Sequence, residues 1–289
     1  MIAATRPTHN LSGKIALITG GGTGIGRGIA LALARRGAHV VLVGRRPEPL
    51  LATAADVLAL GGQALPIPLD ITGAADRAEL LPAIRAECGG LDILVHNAGV
   101  LAGGPLAERT AEEIGQVLQT NLTAAIDLTR LAQDELVRRG GALVFVGSAM
   151  AFVPMPNATL YAASKAGLHG FGQAIRYELE PAGVRVLAAY PPGTATELVN
   201  DAATALTQRR RVAELHRENS SYSSLARRFS VLAYRLEDPE WTGERIVAAL
   251  VAGRRTLVWG GERWLIGLHR VAPWLVEGAL MRLRRRFVW

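Results

Sequence analysis

The chain has 289 residues, 49% hydrophobic and 20% charged, which excludes disorder and collagen-like structure and allows a sizeable core. Cys88 is the single cysteine, so a disulfide framework and a four-thiolate zinc site are both excluded, and no metal site is read. The formal charge of +7 is unevenly placed: residues 251–289 hold eight arginines against Glu262 and Glu277, with four of the five tryptophans.

In chain order, residues 1–10 lack the apolar run of a secretory signal, which points to the cytoplasm. Residues 15–19 read as a strand, followed by a glycine turn and a helix over 26–36. A strand at 40–43 precedes a helix at 50–60, and further strands are expected at 64–69, 93–95, 143–146 and 184–189. Continuous apolar strands alternating with helices predict an α/β fold, a doubly wound parallel sheet covered on both faces. The uncharged run between Arg139 and Lys165 contains Pro154, Pro156 and Asn157, and is rejected as a membrane span. A helix at 242–252 leads into a strand at 256–259. Residues 1–260 are read as one domain, 196–240 as an insertion within it, and 261–289 as an amphipathic helical tail that Pro273 breaks or restarts.

Thr19-Gly20-Gly21-Gly22-Thr23-Gly24-Ile25-Gly26 joins the first strand to the first helix. Such a turn lets the backbone approach a pyrophosphate, and the helix N-terminus offers N–H groups to it. The spacing matches neither G-x-G-x-x-G nor a P-loop. After the second strand, where a carboxylate would hold a ribose 2′-hydroxyl, stand Arg45 and Arg46. Two guanidiniums there favour a 2′-phosphate, hence NADP(H) over NAD(H).

Tyr161 and Lys165 lie at i and i+4, on one face of a helix. A tyrosine titrates at ~10, and a neighbouring ammonium, together with a positive nicotinamide ring, is expected to bring it toward neutrality. Lys14 and Lys165 are the only lysines in a chain that otherwise uses arginine, which marks Lys165 as a place where a compact ammonium is needed.

With Leu11-Ser-Gly-Lys14, the Thr19–Gly26 turn, Asp70, His96-Asn97-Ala98-Gly99, Asn121, Ser148 and Tyr161-x-x-x-Lys165 in that order, the sequence resembles the short-chain dehydrogenase/reductase family over roughly 11–197. The resemblance implies a single Rossmann-type domain that moves hydride between a nicotinamide and a carbonyl or secondary alcohol. It makes Tyr161 the general acid–base and gives Ser148 a hydrogen bond to the substrate oxygen. Lys165 would hold the nicotinamide ribose, and Asn121 would anchor a water linking Lys165 to solvent. Gly20, Gly22, Thr23, Gly24 and Ile25 would form the pyrophosphate turn, Asp70 and Ile71 would meet the adenine, and Asn97, Ala98 and Gly99 would line the adenosine and ribose. Pro191, Thr194 and Thr196 would meet the nicotinamide carboxamide. His96 stands where the family often has asparagine, and Pro192 replaces its usual glycine. The family also suggests a dimer or tetramer.

The 196–240 insertion, apolar with Arg209-Arg210-Arg211, occupies the family's substrate-lid position and suits a lipophilic ketone bearing an anionic group. For 262–289 two readings stand: contact with a membrane surface, or packing on the body or a second subunit. No nucleic-acid motif accompanies the arginines, so nucleic acid is not expected as a partner. The rivals to a ketone reductase are a nicotinamide-dependent epimerase or dehydratase, and a non-catalytic NADP-binding, membrane-associated protein.

Overall fold

The computed structural model describes residues 10–196 and 236–286, with side chains through Met281. Seven parallel strands form one sheet in the order β3-β2-β1-β4-β5-β6-β7. They are β1 Ile15–Thr19, β2 His39–Gly44, β3 Gln63–Pro68, β4 Ile93–His96, β5 Ala142–Val146, β6 Arg185–Tyr190 and β7 Thr256–Val258. The helices are α1 Gly24–Ala34, α2 Pro47–Ala59, α3 Ala74–Cys88, α4 Ala111–Leu118, α5 Ala124–Arg138, α6 Thr159–Leu179, α7 Pro239–Val251, α8 Glu262–Val271 and α9 Pro273–Arg286.

Alternation along each strand builds two cores. Ala16, Ile18, Val40, Leu42, Val95 and Val144 face α1, α2 and α7, while Leu17, Val41, Val43, Leu94, Leu143 and Phe145 face α3, α5 and α6. The helix α1 meets α7 backbone to backbone. A Cβ on Gly28 would lie 2.2 Å from Pro239 O, and one on Gly243 2.2 Å from Gly28 C. Only glycines permit that approach.

The order reverses between β1 and β4, which run side by side while their following connections leave on opposite faces. Such a switch point opens a crevice at the carboxyl ends of the strands. At the far edge, α8 and α9 are separated at Ala272, since Pro273 cannot continue a helix. Ile266 and Val276 are buried there against Val153. Among the described residues no helix is long and apolar enough to cross a membrane. Of the 196–240 insertion, residues 197–235, Arg209-Arg210-Arg211 among them, lie outside the described residues.

Candidate active site

The floor of the crevice is the turn after β1. Gly20 N and Gly21 N both donate to Val43 O (2.7 and 3.2 Å), and Gly20 has φ +65°, a conformation open to glycine at no steric cost. A Cβ on Gly26 would stand 2.0 Å from Gly20 O, so the turn closes onto α1 only because that residue has no side chain. The Thr23 side chain caps none of the first N–H groups of α1, which keeps the helix N-terminus available to an anion.

Thr19 ties this turn to the loop after β4. Its Oγ1 donates to Val95 O (3.2 Å) and accepts from Asn97 N (3.0 Å) and Ala98 N (3.1 Å). Asn97 Nδ2 returns to Thr19 O and Gly20 O at 2.9 and 3.2 Å. Gly20, Gly22, Thr23, Arg45, Arg46, Asp70, Ile71, Ala98 and Gly99 line one crevice. Both arginines stand exposed on its rim. Asp70 Oδ1 accepts from Thr72 N and Oγ1, both at 2.9 Å, while Gly73 stands at the N-cap of α3. Ile25 is partly buried against the core. A Cβ on Gly24 would lie 2.9 Å from Thr196 Cγ2, so Thr196 overhangs the turn. Pro191 and Thr194 are buried beyond β6, and Thr194 Oγ1 donates to Pro192 O (3.0 Å). Bare glycine backbone, an uncapped helix start and an open crevice rimmed by arginines fit a dinucleotide.

On the other side of the crevice, α6 presents Tyr161, Lys165 and His169 from successive turns of one face. Ser148 follows β5, and its Oγ accepts from Met150 N (3.2 Å) as the cap of a short 3₁₀ turn, leaving its own proton free to donate. Ser148 acts on the Tyr161 phenol, holding its titration down. Lys165 Nζ donates to Val146 O (3.0 Å) and sits 5.7 Å from the Tyr161 ring centre. A Cβ on Gly99 would come within 3.5 Å of Asn121 Oδ1 and 3.6 Å of Lys165 Nζ, so these three residues converge.

Asn121 owes its place to a π-helical turn, Gln119–Thr123, between α4 and α5, an irregularity often found at functional sites. Its Oδ1 accepts from Val100 N (2.8 Å), and its Nδ2 donates to Val100 O (2.9 Å) and Ser164 Oγ (3.0 Å). Ser164 Oγ in turn donates to Tyr161 O (2.8 Å). Sequence reasoning placed Thr19 at the head of the glycine turn without a role and missed Ser164; these two hydroxyls lock the site.

Burial dominates the electrostatics of the chain's own groups here. It pushes the Tyr161 phenol up, and only Ser148 pulls it back. Burial also pushes the Lys165 ammonium down to about 8. Loss of solvent disfavours both charged forms and outweighs their mutual attraction at this separation.

The wall behind Ser148 was not foreseen either. Phe152 packs edge-on against His169 and Tyr190, with ring centres 4.6 and 4.8 Å away, and the Arg270 guanidinium of α8 lies 5.7 Å from its centre. The His169 position, four residues after Lys165 on the same face, was the available signal.

His96 lies 5.2 Å from the Phe145 ring centre, stacked on it beneath the cofactor loop. The Thr129 proton goes to Ala125 O (2.8 Å), so His96 Nε2 must carry the proton it shares with Thr129 Oγ1 (2.8 Å). Burial pushes this imidazole from 6.5 down to about 3. Below pH ~6.5 the unfolded chain binds a proton that the folded chain refuses, so stability falls as pH drops from 6.5 toward 3, by up to about 5 kcal/mol from this group. His96→Gln is expected to flatten that acid slope in urea unfolding; an unchanged slope would refute a neutral buried imidazole.

The fold and crevice define a doubly wound protein built to take a dinucleotide. The chain belongs to the short-chain dehydrogenase family, whose model, described as short chain dehydrogenase, matches residues 14–207. An uncharacterized oxidoreductase of Myxococcus xanthus is 40% identical over 190 residues, 65% of this chain and 75% of that protein. A solved short-chain dehydrogenase from Sphingobium yanoikuyae, in complex with NADPH, is similar with TM-score 0.72 and 27% identity, over 91% of this chain and 95% of that one. A 3-ketoacyl-(acyl-carrier-protein) reductase from Brucella melitensis, complexed with NADH, is similar with TM-score 0.71 and 28% identity, over 86% and 97%. The protein is therefore an oxidoreductase of a family that binds a nicotinamide cofactor and acts on small molecules.

Proposed function

We propose that the protein is an NADP(H)-dependent reductase of a lipophilic ketone, with Ser148, Tyr161, Lys165 and Asn121 as its catalytic group. The observation that carries this reading is the convergence of buried Tyr161 and Lys165, on one face of α6, with Ser148, Gly99 and Asn121. Gly20, Gly22, Thr23, Asp70, Asn97 and Ala98 would hold the dinucleotide along the crevice, and its nicotinamide, when bound, would supply the hydride for the carbonyl carbon. Ser148 Oγ–H points the carbonyl oxygen at the phenol. Tyr161, kept neutral by burial, donates its proton as negative charge develops on that oxygen, which is then far more basic than a phenolate. Lys165 holds the ribose hydroxyls and, titrating near 8, exchanges protons readily close to neutrality. Asn121, fixed by Val100 and Ser164, anchors the water through which that exchange reaches solvent.

The partly exposed Phe152 ring close to Ser148 supports an apolar substrate. Short-chain dehydrogenases often assemble as oligomers, and a dimer or tetramer belongs to the same proposal. The test is a panel of carbonyl compounds with NADPH, followed by reduced-nicotinamide absorbance. Bulky apolar ketones should be turned over faster than short polar diketones, and the reverse ranking would refute the substrate class.

The preference for NADP(H) rests on Arg45 and Arg46 at the crevice rim. A charge-assisted contact from guanidinium to phosphate contributes about 1.5–3 kcal/mol. Replacing both with alanine should therefore raise the KM for NADPH by roughly 10- to 100-fold and change that for NADH little. An unchanged KM for NADPH would remove the assignment.

A further inference from the structure

The paired helices α8 and α9 have two unlike faces. Inward, Ile266, Ala272 and Val276 are buried, and Ile266 and Val276 close on Val153 behind the Ser148 turn. Outward, Trp264, Leu268, Val271, Trp274, Leu275 and Met281 remain exposed, Trp264 by 83% and Val271 by 80%. They are six of the fifteen large hydrophobic side chains left exposed among the described residues, gathered within eighteen positions. Trp264, Leu268 and Val271 follow one another at i, i+4 and i+7 on α8, and Trp274 and Leu275 are exposed in the first turn of α9. Apolar clustering of this kind on a protein surface marks an interaction site.

The charge around the row selects the partner. Arg263 is exposed beside it, whereas Arg270 turns inward to Phe152, and the sequence of the last turns of α9 adds Arg282, Arg284, Arg285 and Arg286. The acids are only two: Glu262 is turned inward and 4% exposed, leaving Glu277. We infer that the outer face of α8–α9 docks on an anionic lipid surface, with the tryptophans and aliphatic side chains in the headgroup boundary and the arginines on the lipid phosphates and carboxylates. A second copy of this chain is a poorer occupant, because a two-fold contact would set the same arginines against each other. Tryptophan, apolar in body and polar at one edge, is suited to that boundary. This surface is independent of the reaction proposed above.

The experiment is sedimentation of the full chain with vesicles of phosphatidylcholine alone or mixed with phosphatidylserine, at low and high salt. Binding is expected to the mixed vesicles, with release by salt. Trp264→Ser with Trp274→Ser should weaken it at least about tenfold, while circular dichroism and thermal midpoint stay unchanged. Trp241→Ser, an exposed tryptophan on α7, should leave vesicle binding as it is. No binding to mixed vesicles at low salt would overturn the inference. So would equal binding by the double-tryptophan variant, or a dimer that this variant dissociates and that lipid leaves untouched.

Discussion

Lys165→Met is expected to yield a protein that is more stable than the native chain and inactive. The ammonium is 3% exposed and titrates near 8 instead of 10.5, so holding it charged at neutral pH costs about 3 kcal/mol. Methionine has similar length and no charge to desolvate. It forfeits the hydrogen bond to Val146 O, worth about 1 kcal/mol, and leaves a net gain of about 2 kcal/mol. For a chain of this size that is a rise in Tm of roughly 4–8 °C. The sign follows from linkage: the folded chain gives up its proton near 8 while the unfolded chain keeps it until 10.5. The penalty is thus complete below pH 8, shrinks between 8 and 10.5, and is gone above. Stability curves for the two proteins, well separated at pH 7, should converge as pH approaches 10.5. Curves that stay parallel across that window would mean that the amine is not desolvated. Loss of the ribose contact and of proton exchange should cost catalysis roughly 100- to 10,000-fold. A stabilising substitution that abolishes activity is the signature of a strained, functional position.

The helix and strand periodicities made most of the fold legible, because parallel strands buried on both faces need unbroken apolar runs. Residues 15–19 form β1 as expected. The boundaries shifted where single residues act on the backbone: α1 begins at Gly24, whose φ of +53° joins turn to helix, and α2 begins at Pro47, already set for a first helical position. Pro273 divides the tail as its missing N–H requires.

Within the site, Tyr161 and Lys165 were readable because a helix places i and i+4 together, and the glycine turn because its spacing allows close backbone approach. The π-turn carrying Asn121 was not, since no local pattern distinguishes it from a continuous α-helix. How far burial raises the Tyr161 phenol was not legible for a similar reason. Spacing shows that an amine is near, whereas the direction of the shift depends on how much solvent the completed fold removes. The Phe152–His169–Tyr190 wall joins residues from a loop, a helix and a strand far apart in sequence, and Arg270 reaches it from the tail. Such long-range packing is invisible to periodicity.

The central claim is that one buried phenol delivers the proton in ketone reduction, and Tyr161→Phe isolates it. Phenylalanine keeps the ring and its packing and removes only the hydroxyl that meets Ser148. The carbonyl then gains negative charge with no acid beside it, and a positioned general acid contributes roughly 100- to 10,000-fold. Because the crevice residues are untouched, NADPH affinity should stay within about twofold, so the loss belongs to kcat. The decisive measurement is NADPH consumption driven by an apolar ketone, compared between the native protein and Tyr161→Phe at matched cofactor occupancy. The account predicts turnover by the native protein and a kcat for the variant lower by at least about a hundredfold. Turnover by the variant within a few-fold of native would contradict it.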